Sequence, residues 1–300
     1  MAVGKQRLGV GRRVSLITTL REAGRLPVAT IQWLLGTVYH LHLSVGGITA
    51  VLDRVAQRAA PEVAAIRDHI RVSPVVHGDE TGWRQSGVNG FVWTFSTPTA
   101  RYFVRRGRDK GVVDEVLGPD FQGVLVSDFY AAYDHYAGLH QRCWAHLLRE
   151  IHTLRQLYPE DTPLARWATA VRTIFDRGQA VTGAAAARQH AHRRLTQELL
   201  DQCSPCCDDA LSVHAKLCRR IVKYLSELLT FVREPLVPAD NNAAERSLRH
   251  LVIRRKISGG TRSVQGTATA MALASLFGTW RAQGQNPFLA CRQLLTSSQL

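Results

Sequence analysis

The sequence predicts an α/β protein with a mixed sheet, in which strand, hairpin, helix, strand, helix and strand follow one another. Short apolar segments bounded by turn residues lie between about residues 73 and 143, and helical periodicity dominates on both sides of them. A chain of 300 residues is long enough for one large domain or two modest ones. With 45% hydrophobic and 21% charged residues, it is neither a disordered tail nor a collagen-like or small disulfide-rich protein.

Residues 1–72 are predicted to form a helical segment. Helices are expected over 26–40 and about 44–59, where Ser44 serves as N-cap and apolar residues recur at three- and four-residue spacing. Residues 27–52 carry no charged side chain, but polar residues and the pair Gly46–Gly47 interrupt them, so we expect two buried helices and no membrane span. The outline is that of a helix-turn-helix, but most helical hairpins bind nothing, and DNA contact here stays open.

Residues 73–160 are predicted to form the first part of the sheet core. A strand is expected at 75–77 and is broken by 78–82, and an antiparallel hairpin is expected from 91–95 and 102–104. Further along, the pattern predicts a helix at 111–117, a strand at 123–127, a helix from about 131, a strand around 139–143 and a helix at 145–157.

Residues 161–236 show only helical periodicity, which 203–209 interrupt, and we interpret them as a helical insertion. Residues 237–300 are expected to complete the core with basic helices. These begin near Asn242, span about 267–283, and begin again at Pro287, a favoured first-turn residue.

Two aspartates follow predicted strands, the place where functional groups collect in α/β sheets. Asp79 lies just past the first strand and Asp128, 49 residues later, just past a buried one. Carboxylates on neighbouring strands can share a hard cation such as Mg²⁺, and Glu245 is the candidate third ligand. Two ions so held would clamp the attacking and leaving oxygens of a phosphoryl displacement. Each residue also has a structural alternative. Asp79 could be an ordinary turn residue and Asp128 the cap of the following helix. Glu245 could form a capping box with Asn242.

The charge points to a polyanionic partner. Lys and Arg number 38 against 24 Asp and Glu, a formal net charge of +14, so nucleic acid is the first candidate and solubility alone the alternative. Basic residues concentrate after Glu245, and residues 258–262 are expected to offer backbone N–H groups to phosphate. The candidate DNA contacts are Arg246, Arg249, Arg254, Arg255, Lys256 and Arg262.

Cysteines and histidines form two further patterns. Cys203, Cys206, His214 and Cys218 have the spacing of metal ligands, but their helical setting favours buried thiols, and zinc is not expected. Six cysteines without a signal peptide predict a reducing compartment, the cytoplasm.

Four ordered segments carry a family resemblance: HGDETGW at 77–83, LVSDFYAAY at 125–133, QRCWAHLLR at 141–149 and DNNAAER at 240–246. They resemble the signatures of insertion-sequence-66 type transposases, a DDE family with a ribonuclease-H-like catalytic core. GQNPF at 284–288 is similar to the end of that family, and the likeness extends from about Gly9 onward.

The resemblance implies a ribonuclease-H-like mixed sheet with a helical insertion before the last catalytic carboxylate. Asp79, Asp128 and Glu245 would be the catalytic and metal-binding residues, holding Mg²⁺ or, as a substitute, Mn²⁺. Asp79 would bridge two ions, and the other carboxylates would hold one each. The supporting residues would be His77, Asn241, Asn242, Cys143 and His146.

The implied activity is metal-dependent phosphodiester cleavage and strand transfer of a mobile element, acting on double-stranded DNA at transposon ends and target. A homo-oligomer and accessory element-encoded proteins are expected partners. Two features depart from the family: most of its longer N-terminal region is absent, and Phe129 stands where a small residue is expected. The alternatives are a truncated, inactive DNA-binding remnant and a metal-dependent nuclease without joining activity.

Overall fold

Helices precede and follow a group of strands in the computed structural model, which describes residues 9–209 and 211–296. The helices before the strands are α1 (Val10–Glu22), α2 (Val28–Tyr39), α3 (Val45–Arg58) and α4 (Ala60–Arg71). The predicted cap of α3 is present, since the Ser44 side chain accepts a hydrogen bond of 3.0 Å from the Gly47 amide. The described residues before β1 thus fold mainly into helices.

Parallel and antiparallel strand pairs together form a five-stranded mixed sheet, which confirms the predicted α/β class. The strands are β1 (Val75–Gln85), β2 (Val88–Ser96), β3 (Arg101–Arg106), β4 (Val124–Ser127) and β5 (His140–Arg142). Their order is β3-β2-β1-β4-β5. β2 and β3 pair antiparallel, whereas β4 pairs in parallel with both β1 and β5.

β1 is longer than predicted, because residues 78–82 continue the strand instead of breaking it. Ser86 and Gly87 connect β1 to β2 with φ angles of 51° and 82°. Positive φ at both central positions is typical of the tight hairpin turns that match the twist of antiparallel strands. Glycines 78 and 82 therefore lie within a strand, and Asp79 lies inside β1 and not after its end.

The remaining helices follow the predicted order, with one difference in the insertion. They are α5 (Gly111–Leu117), a 3-10 helix (Ala131–His135), α6 (Trp144–Leu157), α7 (Thr162–Gln179), α8 (Ala185–Cys207), α9 (Ala215–Lys223), α10 (Leu225–Leu228), α11 (Thr230–Arg233), α12 (Asn242–Ser258), α13 (Val264–Ala282) and α14 (Pro287–Thr296). The predicted interruption at 203–209 begins only at Asp208. Pro205 lies in the last turn of α8, so the backbone hydrogen bond that its missing N–H cannot donate is one near the end of the helix.

The chain divides into two compact units, each with its own hydrophobic core. The terminal unit contains residues up to 72, 79–117 and 244 onward, and the central unit contains 73–78 and 118–243. The terminal core includes Trp83, Val92, Phe103, Leu248, Leu251 and Met271. The central core includes Val126, Trp144, Leu147, Trp167, Phe175, Leu199 and Ile221. The predicted division into four segments remains a prediction.

Within the part of the chain that the model describes, none of the helices combines the length and apolar character needed to cross a bilayer.

Candidate active site

The register of the parallel pairing between β1 and β4 relates the positions of the two candidate aspartates. Val75 pairs with Val124 and His77 with Val126, so paired residues differ by 49 in number. Asp79 and Asp128 differ by the same 49, and each lies two positions after the last residue pair that joins β1 to β4, His77 with Val126. Both aspartates are half-buried, which leaves them accessible to a ligand.

Local hydrogen bonds in the central unit hold Asp128. Its Oδ1 accepts a hydrogen bond of 2.9 Å from the Tyr130 amide, which forms a turn directly after β4. The Phe129 ring points to the helical side of this turn, with its centroid 5.6 Å from that of Tyr224 and 5.3 Å from the Arg220 guanidinium. A large residue at this position therefore has a packing site and leaves the carboxylate of Asp128 in place.

Arg142 anchors the same turn, a role that the sequence analysis did not assign. Its fully buried guanidinium donates a hydrogen bond of 2.8 Å to the Asp128 carbonyl. It also forms ion pairs of 2.6 Å with both Asp134 and Glu227. The guanidinium lies 4.5 Å from the Tyr224 ring centroid, a cation–π distance. One planar cation thus ties the residue after β4 to the helical insertion.

His140 extends this network as a neutral histidine. Burial, followed by the charge of Arg142, lowers the pKa of His140 well below its ordinary value. Its Nε2 lies 2.9 Å from the Ser127 hydroxyl, and its Nδ1 lies 3.4 Å from Glu227. The last residue of β4 is thereby fastened to β5.

Asn241 is the centre of a second buried network in the central unit. Its Nδ2 donates a hydrogen bond of 2.7 Å to the Gly78 carbonyl, and its Oδ1 lies 3.0 Å from His77 Nδ1. Because the amide oxygen can only accept, the ring nitrogen carries the proton. The backbone N–H of Asn241 donates a hydrogen bond of 3.1 Å to the sulfur of Cys143, and burial raises the pKa of that thiol. Three predicted supporting residues are therefore in contact.

The remaining predicted residues lie on two helices. Asn242 begins α12, and its amide donates a hydrogen bond of 3.0 Å to Asp240 Oδ1. Glu245 is in the first turn of α12, four residues after Asn241, and is half-buried. The His146 side chain lines a groove of about 360 Å³ along α6.

The candidate DNA-contact residues of the terminal unit differ in exposure. Arg254 departs from the prediction: its guanidinium is buried in an ion pair of 2.9 Å with Glu22, so it is a structural group. Arg255 is half-buried and donates a hydrogen bond of 3.0 Å to Thr81 and another to the Gly82 carbonyl. Both arginines thus have intramolecular partners. The exposed members of the set are Arg246, Arg249, Lys256 and Arg262.

The glycine-containing segment 258–262 also differs from the expectation of exposed amides. The Thr261 amide donates a hydrogen bond of 2.9 Å to the Arg84 carbonyl, and the Gly260 amide contacts the Ser258 hydroxyl at 3.4 Å. Gly260 has a φ of 118°, and a Cβ there would lie 2.1 Å from the Arg84 carbonyl oxygen. The segment therefore packs against β1 by backbone contact that only glycine permits.

Comparisons with known proteins agree with the sequence resemblance. A family model described as "Transposase IS66 family" matches residues 12–269. The uncharacterized protein y4jD of Sinorhizobium fredii is 26% identical over 285 residues, which cover 83% of this chain and 55% of that protein. The uncharacterized protein y4jO of the same organism is 38% identical over 69 residues, or 23% of this chain and 22% of that protein. The chain thus spans about half the length, or less, of these relatives.

Proposed function

The chain belongs to the IS66 family of transposases, and from this premise we propose that it is a DDE-type transposase. Its proposed activity is metal-dependent cleavage of DNA phosphodiesters and strand transfer of a mobile element. Asp79, Asp128 and Glu245 are the proposed catalytic carboxylates, set on a ribonuclease-H-like core. The helical insertion would separate the second carboxylate from the third.

The register of β1 and β4 is the observation that carries this proposal. Continuing the offset of 49 residues for two more positions aligns Asp79 with Asp128. Neighbouring strands lie about 4.8 Å apart, and residues at one register position of a parallel pair point to the same face. If this register continues to residue 79, the two carboxylates would be able to share one cation.

The Asn241 network supports the choice of Glu245 as the third carboxylate. Gly78, which accepts the hydrogen bond of Asn241, directly precedes Asp79 in the chain. Glu245 follows Asn241 by four residues in the first turn of α12. The buried amide thus fastens the helix start that carries Glu245 to the strand that carries Asp79.

The donor set fits a hard divalent cation. Three carboxylates offer the oxygen ligands that Mg²⁺ prefers, and Mn²⁺ accepts the same ligands. When bound, such a cation activates the attacking hydroxyl and stabilises the leaving oxygen. The chain's own contribution is placement: Arg142 holds the backbone of Asp128, and Asn241 holds β1 against the start of α12.

The exposed basic residues of the terminal unit are the proposed phosphate contacts. We expect DNA affinity to fall steeply with salt, because each neutralised phosphate contributes about −0.9 to the slope of log K against log salt. The double variant Arg246→Gln/Arg249→Gln should reduce that slope by up to about two units. Arg172→Gln, an exposed arginine of the central unit, is the control and should leave it unchanged. A flat salt response in the unmodified chain would contradict the proposal.

The test of the activity uses DNA that carries both ends of the element, a target duplex and Mg²⁺. Asp79→Asn, Asp128→Asn and Glu245→Gln should each lower cleavage by about a thousandfold or more, since metal-based stabilisation is worth several kcal/mol. Glu80→Gln is the matched control, because neighbouring side chains on a strand face opposite sides. Unchanged cleavage by Asp79→Asn would refute the assignment.

The same assay separates the alternatives. Cleavage without joined product, when a free 3′-hydroxyl is offered, would indicate a nuclease. DNA binding without cleavage would indicate a non-catalytic remnant. We further propose a homo-oligomer that acts on paired ends, with accessory proteins of the element as candidate partners. Because the substrate is DNA, we place the protein in the cytoplasm, where its six cysteines would stay reduced.

A further inference from the structure

A second group of ligand atoms lies in the central unit, where α8 ends and α9 begins. The candidate ligand atoms of Cys206, His214 and Cys218 all lie within 4.8 Å of one another. In residues 9–209 and 211–296, this is the one group of three cysteine, histidine or acidic side chains that meets this distance. His214 and Cys218 are buried, and Cys206 is half-buried. The spacing of these residues is that of metal ligands, and their helical setting favoured buried thiols, but the fold brings Cys206, His214 and Cys218 together.

Cys203 is the candidate fourth ligand. It lies one helical turn before Cys206 on α8, so both side chains project from the same face. Cys203 is fully buried, and a side-chain hydrogen bond joins its thiol to that of Cys218. Cys207 is oriented differently, because its thiol donates to the Cys203 carbonyl at 3.3 Å.

His214 is held in an orientation suited to metal binding. Its Nδ1 lies 3.1 Å from the Ser212 hydroxyl, and its ring stacks on Trp167 with centroids 4.6 Å apart and an interplanar angle of 26°. Metal-binding histidines commonly have the second ring nitrogen fixed by such a hydrogen bond. Nε2 is then the nitrogen that faces a metal.

We propose that Cys203, Cys206, His214 and Cys218 bind one Zn²⁺ ion as a structural site. Three thiolates and one imidazole form the closed tetrahedral set that is typical of structural zinc. The ion would join the end of α8, Cys207, to the start of α9, Ala215. This site is separate from the carboxylates of the proposed function, and its test does not depend on transposition.

The experiment measures metal in the 300-residue chain purified under reducing conditions without chelator. We expect about one zinc per chain. After zinc removal, Co²⁺ should restore binding and give the visible absorption of a tetrahedral thiolate site. Cys206→Ser and Cys218→Ser should lose nearly all bound metal, and so should Cys203→Ser. Cys207→Ser, the neighbour on α8, and Cys291→Ser, a buried cysteine of the terminal unit, are the matched controls and should keep it.

The decisive measurement is the cobalt titration of the folded, unsubstituted chain, since a serine variant that fails to fold also loses metal. The proposal is overturned if that chain has all its thiols reduced and binds neither zinc nor cobalt. It is also overturned if a disulfide between Cys203 and Cys218 persists in protein purified under reducing conditions. Loss of metal by Cys207→Ser as complete as that by Cys203→Ser would overturn it as well.

Discussion

Replacing Arg142 with methionine tests how the turn after β4 is stabilised. The substitution keeps a long side chain and removes the charge, both ion pairs and the hydrogen bond to the Asp128 carbonyl. Removing one partner of a buried ion pair costs about 3–5 kcal/mol, because the other charge stays desolvated. The partners Asp134 and Glu227 are 31% and 28% exposed, so water solvates them in part. We therefore expect a loss of about 3 kcal/mol.

The assay is denaturant-induced unfolding followed by circular dichroism, with Arg172→Met as the matched control. Arg172 also pairs with an aspartate, Asp176, but the two side chains are 60% and 51% exposed. Such a surface pair contributes up to about 1 kcal/mol. If Arg142→Met lowered the free energy of unfolding no more than Arg172→Met, the reasoning that Arg142 organises this turn would be wrong.

Three further predictions concern stability. Asn241→Ala removes the side-chain hydrogen bonds to His77 and to the Gly78 carbonyl. It should lower the free energy of unfolding by at least about 2 kcal/mol, measured in urea. Gly260→Ala should cost more than Gly183→Ala: both have positive φ, but only Gly260 approaches a carbonyl, and equal thermal shifts would contradict this. Burial, with the charge of a nearby arginine, lowers the pKa of His250 from 6.5 to about 4. As the pH falls, His250 therefore takes up a proton in the unfolded chain before it does so in the folded one. The contribution of its neutral form to the free energy of unfolding, present above about pH 6.5, should be lost towards about pH 4. His250→Gln should reduce that loss, measured by urea unfolding at several pH values.

Much of the fold was predictable because local patterns agree with tertiary packing. The capped helix after Ser44, the hairpin strands and β4 each show the periodicity of their final environment. β1 was underestimated, because Gly78 and Gly82 look like strand breakers in isolation. Their place in a strand depends on the pairing of strands distant in the chain, which no local pattern contains.

The candidate site was predictable in part, for a related reason. Segment signatures suggested candidate carboxylates and supporting residues, and the described contacts bring His77, Cys143 and Asn241 together. Arg142 received no role, since a lone arginine after a short strand indicates nothing until its partners, 8 and 85 residues away in the chain, are known. The burial of Arg254 was hidden likewise, because its partner Glu22 lies in the first described helix.

The most direct test of the proposed activity is a crystal of the chain soaked with Mn²⁺. We expect anomalous density for manganese in contact with carboxylate oxygens of Asp79, Asp128 and Glu245, at about the 2.1 Å typical of Mg²⁺ ligands. Manganese bound elsewhere, or a Glu245 carboxylate directed away from the ion into solvent, would contradict it.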